Sequence, residues 1–221
     1  MIKNTIMKEI KKLNGRGAIK NKFYVNKLYK GTLLIPDISG FTKFVRTTDL
    51  ITGKNITSRL LSAIIKSNYL GLRVSEIEGD AILFYTYQTK LSVKEILSQY
   101  EVMLESFNQE LALLSEELGR KIELTLKLIA HYGKLAYYKI GRFHKLYGET
   151  VIEAHRLLKN PINSNTYVLI TDDLLEKDEC EKRIKNSPFK ANRKNNLYAD
   201  LRNIWITFFD YERKNLYKIA S

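Results

Sequence analysis

The chain contains a single cysteine, Cys180, in 221 residues, so neither an intrachain disulfide nor a cysteine-built zinc site can form. That accords with a reducing compartment. No apolar stretch approaches the roughly 20 residues that span a bilayer. The opening Met1-Ile2-Lys3-Asn4-Thr5 also lacks the long apolar region of a secretory signal, and the expected location is the cytoplasm. No repeat or low-complexity segment is present, and the length suits one buried core with terminal extensions rather than two domains. Acidic side chains are scarce, at 24 Asp and Glu against 37 Lys and Arg, for a net charge of +13.

That charge is uneven. Residues 1–30 hold nine basic side chains against Glu9 alone, so this arm carries +8 and leaves +5 to the other 191 residues. Ile2, Ile6, Ile10 and Leu13 recur at helical spacing, which fits a basic amphipathic helix suited to an anionic membrane surface, nucleic acid or a partner helix. The plainer reading is a solvated helix that packs its apolar stripe on the body of the protein. For nucleic acid, the aromatic platforms of a recognised fold are missing, and 14 tyrosines spread along the chain suit core and interface.

Beyond the arm, residues 31–221 read as one domain. Gly31 to Pro36 reads as a buried strand, with a helix start at Ser39-Gly40. Leu60, Leu61, Ile64 and Ile65 mark a helix over residues 57–67. Leu72 to Ile77 and Ala81 to Tyr87 form a predicted hairpin around Gly79-Asp80. Ile96, Tyr100, Met103, Leu104, Phe107, Leu111 and Leu114 give the longest helix, Ser92 to Leu118. A strand is expected from Ile122 to Ala130, broken by His131-Tyr132-Gly133, with Leu135 to Ile140 as its hairpin partner. Thr150 to Leu158 reads as a helix, and Tyr167–Ile170 and Ile204–Tyr211 as strands. This order implies an α+β sandwich with helices on one face of a mainly antiparallel sheet.

The most informative feature is a pair of acidic turns beside apolar runs. Asp37 follows Leu33-Leu34-Ile35-Pro36, and Asp80 precedes Ala81-Ile82-Leu83-Phe84-Tyr85. Two carboxylates held where buried strands meet loops can share divalent cations. Either aspartate alone is more simply a turn former or helix cap.

The runs Asp37-Ile38-Ser39-Gly40-Phe41-Thr42, Gly79-Asp80, His131-Tyr132-Gly133 and Gly148 to Arg156 resemble, in order and spacing, the class III nucleotidyl cyclase catalytic domain. The match covers about residues 31–171, and its wording is most similar to a bacterial branch described only as a domain of unknown function. The resemblance implies a ferredoxin-like core that works as a head-to-tail homodimer on a nucleoside triphosphate. It implies two Mg²⁺ or Mn²⁺ ions held by Asp37 and Asp80, with the Ile38 carbonyl completing the shell. Backbone amides around Gly40, Phe41 and Thr42 would cradle the phosphates. Arg156 matches the arginine that stabilises charge on the α-phosphate.

The chain departs from the pattern at Ile152, where the family has an asparagine that orients the ribose. His155 is the polar neighbour available as a substitute, although it equally reads as a buried, satisfied histidine. Four residues before Asp80 the family reads the nucleobase, and this chain has Glu76; Lys145 occupies the second reading position. A carboxylate plus an ammonium suits a base with an N–H beside a carbonyl, so GTP is expected ahead of UTP and ATP last. Both residues also read as ordinary solvated charge. Three functions therefore follow from the sequence: a cyclase-like protein that turns over its nucleotide, a pseudo-cyclase that binds without turnover, and a binding protein whose basic arm carries the function.

Overall fold

The computed structural model describes residues 28–175, the backbone of 191–196, and residues 202–212. The basic arm expected over residues 1–30 lies outside these residues up to position 27, as does Cys180. Lys30, counted above with the arm, already belongs to the first strand.

That strand, β1 (Tyr29–Ser39), is an interior strand of the sheet. Leu33, Leu34 and Ile35 are buried successively because both faces of the strand are covered. β1 runs past the expected end at Pro36: Asp37 pairs with Ala81 on one side and Lys127 on the other, so backbone bonding carries the strand through the acidic residue. Gly40 ends it at φ 87, where a Cβ would sit 2.9 Å from the Glu123 carbonyl oxygen, so only glycine makes this turn without strain. Helices α1 (Phe41–Thr47) and α2 (Leu50–Lys66) follow, the latter capped by the Asp49 carboxylate on the Thr52 amide.

The predicted hairpin is present as β2 (Arg73–Glu78) and β3 (Ala81–Tyr87), with Gly79 in the turn at φ 61. Helix α3 (Val93–Leu118) starts at a Ser92/Glu95 capping box and stops at Gly119 in the left-handed region. It buries Ile96, Tyr100, Met103, Phe107 and Leu114, the stripe its periodicity marks.

The next segment corrects the sequence reading. His131-Tyr132-Gly133 does not break a strand; β4 (Thr125–Ile140) is continuous for 16 residues, and the hairpin partner is β5 (Phe143–Tyr147), reached through Gly141. Gly133 is required by packing, since a Cβ there would lie 2.3 Å from Thr150 Oγ1 on the helix above. That helix is α4 (Glu149–Leu157), followed by β6 (Tyr167–Thr171), β7 (Ala191–Asn196) and β8 (Ile204–Asp210).

The sheet runs β2-β3-β1-β4-β6-β8-β7, with β5 paired to β4 alone, and only β4 and β6 are parallel. Its first half, β-α-β-β-α-β with β1 between β3 and β4, is ferredoxin-like. Successive residues of β1 join different cores. Leu34 and Ile38 join the core under α1, α2 and α3, while Leu33 and Ile35 join a second core with Ala154 and Leu157 of α4. The helices therefore divide between the two faces, and α4 alone covers the face toward which Asp37 alternates.

Candidate functional site

Asp37 is 14% exposed at its side chain, and its Oδ2 lies 2.8 Å from Lys127 Nζ, itself 18% exposed. The Lys127 ammonium also donates to the Leu158 carbonyl at 3.5 Å. Asp80 follows Gly79 in the β2–β3 turn, and its carbonyl accepts the Ile38 amide at 3.3 Å. Asp37, Ile38 and Asp80 are thus tied into one corner by the backbone of two strands. Burial pushes the Asp80 carboxyl up to about 6, and the charge of Asp37 adds to the effect against the pull of Lys127. The two carboxylates offer hard oxygen ligands to a divalent cation, and the donor set fits Mg²⁺ or Mn²⁺. Among the described residues no group of three or more His, Cys, Asp or Glu side chains forms a metal cluster, so an ion here would rest on two carboxylates, backbone and substrate oxygens.

Lys127 escaped the sequence reading. The available signal was a cation interrupting the apolar run Leu126 to Ala130. Its position opposite Asp37 follows from the β1–β4 register, which sequence alone does not supply.

Gly40, Phe41 and Thr42 follow directly from this corner. Gly40 caps α1 without a side-chain bond, and its carbonyl accepts the Phe44 amide at 3.1 Å, which leaves the first amides of the turn without helical partners.

A second group forms on the same face of the sheet. The Lys145 ammonium on β5 donates to Glu76 Oε2 on β2. His155 on α4 places Nε2 3.7 Å from Glu76 Oε1 and Nδ1 4.0 Å from Glu78 Oε2. Three residues expected at the site from separate segments therefore meet. Glu76 faces Leu83 and Glu78 faces Ala81, the residue paired with Asp37, so the two groups occupy adjoining rows of one sheet.

Arg156 is exposed on α4, the residue after His155, and Ile152 one turn earlier is 54% exposed. The opposite side of α4 is pinned by charge. Glu153, 2% exposed, accepts from His131 Nε2 at 2.8 Å and from Arg202 Nε at 2.6 Å, and Arg202 also reaches Asp173 at 2.6 Å. His131 Nδ1 meets Thr171 Oγ1 at 2.8 Å. Burial opposes ionisation of Glu153, but the bonds from His131 and Arg202 outweigh it and hold the carboxyl below its ordinary range. His131 is accordingly a satisfied core histidine.

The topology is the fold of solved class III nucleotidyl cyclase domains. The adenylyl cyclase CyaB of P. aeruginosa matches with a TM-score of 0.65 at 16% identity, over 83% of this chain and 95% of that one. The guanylyl cyclase Cya2 matches at 0.61 and 12% identity, over 83% and 93%. A class III adenylyl cyclase-like ATP-binding protein from Pseudomonas aeruginosa matches at 0.56 and 20% identity, over 67% of this chain and 34% of that one. Within this fold the chain belongs to DUF2652, a family of proteins of unknown function, whose sequence profile matches residues 57–167. It is 26% identical over 121 residues to the uncharacterised protein Rv2561/Rv2562 of Mycobacterium tuberculosis, an alignment of 52% of this chain and 57% of that relative. Among the described residues no helix is long and apolar enough to cross a membrane.

Proposed function

We propose that this chain binds a nucleoside triphosphate with divalent cations at the Asp37–Asp80 corner and cyclises it to the cyclic monophosphate. The observation that supports this reading is the pair of carboxylates, Asp37 largely buried and Asp80 raised by burial and then by the charge of Asp37, tied together through the Ile38–Asp80 backbone bond. Two Mg²⁺ or Mn²⁺ ions there would supply a lowered pKa for the ribose 3′-hydroxyl and neutralisation of the triphosphate. Asp37 and Asp80 would hold them with the Ile38 carbonyl, and the amides of Gly40, Phe41 and Thr42 would receive the phosphates. The 3′-oxygen attacks the α-phosphorus, its proton passes to solvent water, and the bond to the departing pyrophosphate breaks. Arg156 stabilises the charge that builds on the α-phosphate oxygens. Glu76 accepts from the N–H edge of the base and Lys145 donates to its carbonyl, while His155 holds Glu76 in place from α4. GTP is the preferred substrate, UTP the next and ATP the last.

Arg156 acts across the interface of a head-to-tail homodimer. Support comes from the β4–β5 arm, which carries exposed Tyr137, Ile140, Phe143 and Tyr147. Mixing Asp37→Asn with Arg156→Ala protein would then restore one competent site per heterodimer, and a protein that stays monomeric with nucleotide present removes the interface.

A second reading, binding without turnover, is favoured by Ile152: an exposed isoleucine offers no hydrogen bond to a ribose. Purified protein, incubated with Mn²⁺ and each of four nucleoside triphosphates, separates the two. Cyclic GMP and pyrophosphate are expected; tight binding with no product assigns the chain to the second reading, and no binding removes both.

A further inference from the structure

Away from the acidic corner, the connection between α1 and α2 carries aliphatic side chains that the core does not use. Leu50 and Ile51, the first two residues of α2, are 87% and 73% exposed, and Val45 on α1 is half exposed. Leu50 and Ile51 stand outside the stripe that seats α2 on the protein, which is Ile56, Leu60, Leu61 and Ile64. Asp49 caps the helix just before them, its carboxylate accepting the Thr52 amide at 3.0 Å, so they are presented from an ordered turn. Beside them α1 and α2 enclose a cavity of about 500 Å³, with Phe41, Val45, Leu50, Lys54 and Leu61 in its walls.

A cationic cavity adjoins the apolar one. Thr48 lines both, and on the other side of α1 a space of about 280 Å³ is walled by Lys43, Arg120 and Lys121, with Glu123 as its one acid. Glu123 is taken by Lys43 at 3.2 Å. Arg46, Lys54, Arg120 and Lys121 have no ion-pair partner among the described residues. This tip follows the end of β1 at Ser39, whereas the basic arm joins β1 at Tyr29, roughly 33 Å away along the strand. The tip belongs to the side of the sheet covered by α1, α2 and α3, opposite the face toward which Asp37 alternates.

Exposed aliphatic side chains beside unpaired cations match the two layers of a bilayer surface, anionic headgroups outside and acyl chains beneath. The residues between the cations are aliphatic, which suits acyl chains rather than stacked nucleobases. Leu50 and Ile51 keep most of their surface in water although a cavity lies beside them. They project from the protein, and a projecting side chain enters a fluid acyl layer without a matched pocket. We propose that the α1–α2 tip and the neighbouring Arg120-Lys121 turn dock this chain on an anionic membrane. Val45, Leu50 and Ile51 enter the headgroup–acyl boundary, and Arg46, Lys54, Arg120 and Lys121 lie among the lipid phosphates. The contact is peripheral, since no helix among the described residues can cross the bilayer. It is independent of the nucleotide reading above.

Flotation of the full chain with lipid vesicles tests it. Wild type should bind vesicles of phosphatidylcholine mixed with phosphatidylglycerol, release them as salt rises, and bind pure phosphatidylcholine weakly. Leu50→Ser combined with Ile51→Ser should weaken binding to the mixed vesicles on the order of tenfold or more. Arg120→Ala combined with Lys121→Ala should weaken it about fivefold per charge. Unchanged circular dichroism shows that both pairs are folded. Leu50→Trp, in a Trp205→Phe background that removes the native tryptophan, should shift its emission to the blue when the mixed vesicles are added. Equal vesicle binding by wild type and both pairs assigns the membrane contact to another part of the chain, the basic arm included, and overturns the tip. Absence of binding to the mixed vesicles by wild type overturns the membrane as its occupant.

Discussion

Lys127 Nζ and Asp37 Oδ2 lie 2.8 Å apart across neighbouring strands, with both side chains largely removed from water. The lysine supplies one positive charge to a corner that otherwise holds two carboxylates, so the fold tolerates the corner before any ion arrives.

Lys127→Met should therefore destabilise the protein by about 1–3 kcal/mol, because Asp37 is left without its buried partner. Added Mn²⁺ should recover part of that loss by taking the place of the ammonium. Thermal unfolding of wild type and variant, with and without Mn²⁺, checks it. A variant deficit that stays the same in both conditions shows that no cation reaches Asp37.

The raised Asp80 carboxyl gives a pH signature. A folded pKa of about 6, against an ordinary 3.8, means that the folded chain holds a proton that the unfolded chain has lost. Stability from this group should fall as pH rises from about 4 to 6 and stay low above that. Asp80→Asn should flatten this window and stabilise the metal-free protein at neutral pH by on the order of 1 kcal/mol, discounted for solvent screening. Mn²⁺ affinity should weaken as pH falls below about 6. Urea denaturation across pH, without metal, reads the first effect, and calorimetry the second.

Gly133→Ala should act at a distance. The added methyl meets Thr150 on α4, whose hydroxyl donates to the Lys134 carbonyl at 2.9 Å. Overpacking of this kind costs about 1–3 kcal/mol. Pushing the start of α4 off β4 should also lower nucleotide turnover through His155 and Arg156. Pairing Gly133→Ala with Thr150→Ala, which removes both the Oγ1 and the methyl that the new side chain would meet, should recover part of the stability in denaturant titration.

Ile152→Asn should raise turnover, since it places an amide on the exposed face of α4 one turn before Arg156. The expected result is a higher kcat for GTP with little change in stability, because Ile152 is 54% exposed. No gain in kcat would place ribose orientation elsewhere.

The two aspartates were legible because an acid beside an apolar run is uncommon and here occurs twice, and the long α3 helix was legible from its period. The end of β1 was not, because Asp37 continues the strand through pairing on both sides with residues distant in sequence. Gly133 looked like a breaker for the same local reason, whereas its missing side chain makes room for Thr150. His131 was read as part of the same break, yet it lies within β4, where Glu153 and Thr171 satisfy it. Glu76 and Lys145 were both singled out, but their ion pair depends on the β4–β5 arm folding back toward β2, and the split of the helices between the two faces depends on the same tertiary arrangement.

The most direct test of the account is a calorimetric titration of Mn²⁺ into wild-type protein, Asp37→Asn and Asp80→Asn. Saturable binding in the wild type, lost or weakened at least tenfold in both variants while their folds are retained, is the predicted result. Binding of the same strength in all three proteins would contradict a shared cation site at Asp37 and Asp80.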